Sequence, residues 1–232
     1  MSYKYYKLPL LGFDTETTGV DVYTDRIVSC NLTYDFPNHP EHNRSDNFLI
    51  NPGVDIPVEA SNVHGLTKEY LEENNAESPE KLLQIIHDRL LDWEQRGLPA
   101  VAYNATYDAS ILTYEWERHG IEQRVSFSNV IDPMVIDKQV DKYRKGGRKL
   151  ETVAKLYGFT ITNAHSADAD VEATIHIARK LGESYGADLT FEDQGEGLLT
   201  MKKWKKEQSE SLERYFRKTN PDAVVASGYP VY

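Results

Sequence analysis

The sequence predicts an α/β domain carrying a helical appendage. Three observations lead there. A short apolar run at residues 8–15 ends in a polar turn. Two further strand-like runs, 26–34 and 47–51, come before any long helical pattern. Two more short apolar runs, 99–104 and 129–132, are each followed by segments with helical spacing. Strands first, then strands alternating with helices, is the layout of a sheet covered by helices.

Each element has a local reason. Residues 8–15 read Leu-Pro-Leu-Leu-Gly-Phe-Asp-Thr, a buried strand. Residues 26–34 alternate, with Ile27, Val28, Cys30 and Leu32, and 47–51 is stopped by Pro52-Gly53. Short helical turns are expected over 57–73. Residues 79–96 place Leu82, Leu83, Ile86, Leu90 and Trp93 at helical spacing, with Ser78 before Pro79 as the expected cap. A helix over 107–119 carries Ile111, Leu112 and Trp116 and closes at Gly120. Further helices are expected over 134–143, 149–157 and 168–185. The domain is assigned to 1–185. Residues 186–197, rich in Gly, Asp and Glu, read as a linker. Residues 198–232 read as a tail that packs on the domain or on a partner: a helix with Leu199, Trp204, Leu212, Tyr215 and Phe216, then an apolar extended end.

Composition excludes several classes. The chain has 232 residues, 40% hydrophobic and 27% charged, which is incompatible with a disordered chain, a collagen or a coiled coil. Its one cysteine, Cys30, cannot form an intramolecular disulfide, and a reducing compartment such as cytoplasm is expected. No apolar run is long enough to span a bilayer, and the first residues lack the apolar core of a secretory signal. A net charge of −11 argues against a simple electrostatic nucleic-acid binder. It is compatible with an enzyme that gathers carboxylates around cations.

Three segments carry such groups. Asp14 and Glu16 lie two apart at the end of the first strand and so project to the same side. Two carboxylates aimed at one point repel unless a cation neutralises them, and oxygen-only ligands suit Mg²⁺ or Mn²⁺. Asp108 opens the helix after the fourth strand. His165 and Asp170 open the penultimate helix. Strand ends and helix starts meet at one edge of an α/β sheet. Four carboxylates and a histidine converging there form a two-cation site with a base beside it, suited to in-line displacement at phosphorus.

These segments resemble the DEDD superfamily of 3′→5′ exonucleases, in the DnaQ-like branch with histidine in the third motif. That branch includes the proofreading epsilon subunit of bacterial replicative polymerases. The first motif is Phe13-Asp14-Thr15-Glu16-Thr17-Thr18-Gly19, the second Tyr103-Asn104-Ala105-Thr106-Tyr107-Asp108, and the third His165 followed by Asp170. Asn62-Val63-His64-Gly65-Leu66-Thr67 is a further family feature, and Asp132 and 150–154 look like family positions. The match covers about residues 8–182, and the tail resembles those of stand-alone actinobacterial members. The resemblance implies a ribonuclease H-like fold, a five-stranded mixed sheet flanked by helices. It implies two divalent cations, Mg²⁺ or Mn²⁺. Asp14, Glu16 and Asp170 would hold the catalytic ion, Asp108 the second, and His165 would be the general base. Thr15, Thr17, Val63, His64, Asn104 and Tyr107 would position the 3′-terminal nucleotide.

Charge patterning adds two runs. Lys138, Lys142, Arg144, Lys145, Arg148 and Lys149 surround Gly146-Gly147. Within this run, Arg144, Lys145, Arg148 and Lys149 are candidates for the phosphate backbone. Lys202, Lys203, Lys205 and Lys206 read as a solvated face of the tail helix, opposite Leu199 and Trp204. The expected substrate is the 3′ end of a single strand, with DNA favoured over RNA, in replication proofreading or repair. The competing readings are an exoribonuclease and a subunit docked on a polymerase; a homodimer contact through the tail is also compatible.

Overall fold

The computed structural model of the protein describes residues 2–162 and 166–232. Among them the chain forms, in order, β1 (Leu10–Thr17), β2 (Ile27–Asp35), β3 (Arg44–Leu49), α1 (Val58–His64), α2 (Lys68–Glu73), α3 (Pro79–Gln95), β4 (Ala100–Val101), α4 (Thr106–Arg118), β5 (Val130–Ile131), α5 (Pro133–Val140), α6 (Leu150–Leu156), α7 (Ala167–Ser184) and α8 (Gln194–Phe216). The five strands make one mixed sheet in the order β3-β2-β1-β4-β5. The first three are antiparallel neighbours, and β4 and β5 run parallel to β1. This is the α/β architecture expected. The first strand is the centre of the sheet, so it is covered on both faces.

The two faces of β1 are sorted by its alternation. Phe13 faces one layer, where its ring lies 5.8 Å from Phe127, which stacks on Trp116 of α4. Trp116 in turn donates from Nε1 to the Leu83 carbonyl of α3 at 3.1 Å. Gly12 faces α7. A Cβ at that position would lie 2.4 Å from Val171 Cγ1 and 2.8 Å from Ile175 Cδ1. The absent side chain is therefore what lets α7 settle against the strand.

Several boundaries differ from the sequence reading. Strands β4 and β5 are two residues each rather than four to six, because the chain turns away after Val101 and Asn104 adopts a left-handed backbone, φ 61°. Ser78 precedes α3 but makes no side-chain capping bond. Helix α4 does end as expected, before Gly120 at φ 70°. The segment expected to be a linker is held down. Leu189 and Phe191 are buried, and Phe191 pairs with Tyr3 through two backbone hydrogen bonds of 2.7 and 3.0 Å. Helix α8 starts at Gln194, ahead of the expected 198, because the Asp193 carboxylate accepts from Glu196 N at 2.9 Å and caps it.

The tail returns over the domain. Gln208 Nε2 donates to the Val135 carbonyl of α5 at 2.9 Å, and Ser209 Oγ to the Ala226 carbonyl at 2.9 Å. The last residues then reach the sheet and α4. Tyr229 is buried, with its hydroxyl donating to the Val130 carbonyl of β5 at 2.9 Å. Tyr232 N donates to Ser110 Oγ at 3.0 Å. The apolar face expected on α8 is packed only in part: Trp204 lies against the core, while Leu199, Leu212, Tyr215 and Phe216 are exposed, and Met201 is the buried side chain. Among the described residues, no helix is long and apolar enough to cross a membrane.

The Gly12 contact makes a direct prediction. Gly12→Ala should push α7 outward at Val171 and cost about 1–3 kcal/mol. The expected outcome is a lower denaturant midpoint in Gly12→Ala at unchanged m-value.

Candidate active site

The carboxylates sit where β1 ends and two helices begin. Asp14 and Glu16 lie on the face of β1 that carries Gly12, so both point towards α7. Asp170 lies in the first turn of α7. Close packing at Gly12 fixes how far α7 stands from the strand, and Asp170, one residue before Val171, arrives with it. The result is a convergence: one carboxylate oxygen from each of Asp14, Glu16 and Asp170 lies within 4.8 Å of the others. The pairing of β1 with β2 shifts register between Glu16 and Thr17, which ends the regular ladder at this point.

Asp108 reaches the same place from α4. It is buried, and its Oδ1 accepts from Thr15 N at 3.0 Å and Thr15 Oγ1 at 2.7 Å. Along this edge of β1, Leu11 N donates to the Pro99 carbonyl at 3.2 Å. Two pairs further on, β4 has ended, and the Asp108 side chain replaces the missing strand as acceptor. Asp108 is thus held behind the other three carboxylates. Thr15, expected to face a nucleotide, is turned inward to hold Asp108.

The loop before α4 is set by Asp132, the N-cap of α5. Its carboxylate is fully buried and accepts from Asn104 N at 3.1 Å, Ala105 N at 3.0 Å and Met134 N at 2.9 Å. Three bonds into one carboxylate stabilise the left-handed Asn104, a conformation uncommon for a residue with a side chain.

The remaining expected nucleotide contacts form the opposite wall. Thr17 Oγ1, Tyr107 OH and the Gly19 carbonyl oxygen lie 2.6–2.7 Å from one another, and the two hydroxyl protons are shared among these three contacts. His64 Nδ1 accepts from Leu66 N at 3.0 Å, which leaves the proton on Nε2 to be donated to the Thr17 carbonyl at 3.2 Å. Burial lowers the pKa of this imidazole, in keeping with a neutral ring. Next to it, Val63 is 55% exposed, an uncovered apolar side chain at the lip of the site. His165 lies outside the described residues, immediately before Ser166, the N-cap of α7.

Comparison with known proteins agrees with this geometry. The model of an exonuclease family, RNase_T, matches residues 11–178. The chain belongs to this exonuclease family. Its fold and motifs are those of the DEDD, DnaQ-like branch. The chain is 29% identical over 169 residues to the PolC-type DNA polymerase III of Lacticaseibacillus paracasei and 30% over 165 residues to that of Streptococcus pneumoniae. The matches cover 71% and 70% of this chain, but the chain spans only about a tenth of those polymerases, 11% and 10%. Among solved structures, Escherichia coli exonuclease I in complex with a dT13 oligonucleotide superposes with a TM-score of 0.65 at 20% identity, over 78% of this chain and 42% of that one. An exonuclease I–SSB-Ct complex gives 0.64 at 17%, over 89% and 46%. These likenesses establish the ribonuclease H-like fold.

Within this exonuclease domain the carboxylates strain against one another. Asp14 is raised well above the usual carboxylate range, first by burial and then by Asp108, Glu16 and Asp170. Glu16 is pushed up to about 8 by burial, with Asp170 and Asp108 adding to it. Burial raises Asp108 to about 7 against the two bonds from Thr15. Such a set is suited to a hard divalent cation, which takes oxygen ligands and compensates the repulsion. A second group of possible ligands, His39, Glu41 and His42, lies exposed on a short turn between β2 and β3. Cys30 is buried near the carboxylates, and its thiol is pushed up by burial, then by Asp108 and Asp14.

The basic run is only partly a surface. Arg144 and Arg148 are each 14% exposed and both pair with the buried Asp137. Their guanidinium groups are engaged in structure, which corrects their expected role on the phosphate backbone. Lys145 and Lys149 remain exposed.

The raised carboxylates set a pH dependence for the cation-free protein. A carboxylate whose pKa is higher folded than unfolded binds more protons in the native state, so stability falls as pH rises through that window. For Glu16 the window runs from 4.5 to about 8. In EDTA the melting temperature should fall as pH is raised across it, and Glu16→Gln should flatten the fall.

Proposed function

We propose that the protein is a divalent-cation-dependent 3′→5′ exonuclease that hydrolyses single-stranded DNA to nucleoside 5′-monophosphates, in replication proofreading or repair. The convergence of Asp14, Glu16 and Asp170 oxygens within 4.8 Å, backed by Asp108, carries this reading. In it, Asp14, Glu16 and Asp170 hold one Mg²⁺ or Mn²⁺, and Asp108 with Asp14 faces a second. Bound cations there supply positive charge to the phosphoryl oxygens and lower the pKa of water.

The chain's own residues do the rest. Val63 offers an uncovered apolar surface to the terminal base, and its contact is tolerant of base identity. The neutral His64, fixed by Leu66 and Thr17, shapes the wall beside it. Asn104 and Tyr107 position the terminal nucleotide, with Thr17 bracing the Tyr107 hydroxyl. His165 takes the proton of the attacking water. The water oxygen joins phosphorus, the bond from phosphorus to the 3′ oxygen of the preceding nucleotide breaks, and the shortened strand leaves with a 3′ hydroxyl. The polymerase relatives, and the oligonucleotide held by exonuclease I, support DNA as the substrate.

The test uses two 5′-labelled single strands of matched sequence, DNA and RNA, in Mg²⁺, Mn²⁺ and EDTA. The expected outcome is a metal-dependent ladder shortening from the 3′ end, faster on DNA. Asp14→Ala should abolish it, and His165→Ala should slow it by about 10²–10⁴. Faster loss of RNA would name a ribonuclease, and no ladder in either metal would overturn the reading.

A further inference from the structure

Helix α8 runs along the domain and then past it. It starts beside the entry to the sheet: a Cβ at Gly97, three residues before β4, would lie 3.8 Å from Gln194 Oε1. By Gln208 the helix has reached the other edge, where that side chain bonds to the Val135 carbonyl in the first turn of α5, beyond the end of β5. Strands β4 and β5 run parallel to β1, so this is the edge at which β1 delivers Asp14 and Glu16. At about 1.5 Å per residue, the helix from Gln208 to Phe216 adds roughly 12 Å beyond that bond. The returning chain marks the same end. Ser209 Oγ donates to the Ala226 carbonyl. Two residues on, the Gly228 carbonyl accepts from Thr106 Oγ1 at 3.4 Å, at the start of the helix that carries Asp108.

The overhang carries aromatic and basic side chains together. The stripe that packs on the domain through Met201 and Gln208 continues at helical spacing into Leu212, Tyr215 and Phe216. Met201 is buried, but on the overhang all three apolar side chains are exposed, Tyr215 by 64%. The rings of Tyr215 and Phe216 stand 5.9 Å apart, tilted by 57°, so they do not stack on each other. Arg214, Arg217 and Lys218 interleave with them. Arg217 pairs with Glu213 at 2.8 Å. Lys218 Nζ lies 5.7 Å from the centre of the Tyr215 ring, and among the described residues neither Arg214 nor Lys218 forms an ion pair. Exposed rings among free cations suit a polyanion with planar faces. Rings stack on bases and cations meet the phosphates between them, which is how single strands are held without regard to sequence. A second copy docked here about a two-fold axis would instead set these cations against their own kind.

We propose that Tyr215 and Phe216, flanked by Arg214 and Lys218, form an outlying stacking surface for the single-stranded substrate, holding bases on the 5′ side of the nucleotide being removed. The inference rests on the nuclease reading of the Asp14 cluster. It gives the overhang of α8 a direct part in substrate binding and none in the chemical step.

The test compares wild type with Tyr215→Ala/Phe216→Ala, with Tyr215→Trp and with Arg214→Ala/Lys218→Ala. The substrates are 5′-labelled DNA strands of three and sixteen nucleotides. On the long strand the aromatic double variant should raise KM about ten-fold at near-constant kcat, and on the short strand it should match wild type. Tyr215→Trp should keep the wild-type KM. Anisotropy of the long strand in EDTA should show the same loss without turnover, and Arg214→Ala/Lys218→Ala should lower the salt slope of binding by about one per cation. No loss on the long strand, or an equal loss on both lengths, would overturn the surface. So would a dimer in sedimentation that the aromatic double variant turns to monomer at unchanged strand affinity. A wild type that cleaves neither strand would defeat the nuclease reading, while the anisotropy still decides the surface.

Discussion

Four carboxylates brought together in a partly dry corner repel one another, and the fold is arranged to hold them there regardless. Asp14 and Glu16 are placed by the pleat of β1, Asp170 by the first turn of α7, and Asp108 by α4. Burial and mutual repulsion both raise the carboxylates' affinity for protons. The scaffold must resist that repulsion with packing. The close approach of α7 to Gly12, the capture of Asp108 by Thr15 and the fixing of the Asn104 loop by Asp132 are three separate means of doing so. A divalent cation relieves the same repulsion, which couples binding of the ion to the stability of the fold.

The tail belongs to this scaffold. Tyr229 bonds to β5, Tyr232 to α4, and Gln208 to α5, so the C-terminal segment braces the elements that carry Asp108 and Asp132. An exonuclease domain of this family that spans about a tenth of its polymerase relatives is here closed on one side by its own chain.

Much of the architecture was legible in the residue pattern. The alternation in 26–34, the apolar stripe of α3 and the end of α4 at Gly120 are local signals, and they gave elements within a few residues of those observed. The convergence of Asp14, Glu16 and Asp170 was legible because strand period and helix start both constrain direction. Long-range facts were not legible. Nothing local reveals that Thr15 turns inward to Asp108, or that Arg144 and Arg148 are drawn to Asp137. The packed stripe of α8 was read only in part: Trp204 packs on the domain as expected, but Leu199 does not, because Asp193 starts the helix earlier and Met201 is the side chain that the domain buries. Gly12 carried a faint signal, a glycine inside a strand, whose meaning depended on which helix would cover it.

The central claim is that the end of β1 is a cation site. The most direct measurement is a crystal structure grown in Mn²⁺ with anomalous data collected at its absorption edge. The account predicts an anomalous peak bounded by Asp14, Glu16 and Asp170, roughly 2.1 Å from their oxygens. A peak confined to the exposed His39, Glu41 and His42 turn, or no peak with the three carboxylates turned apart, would contradict it.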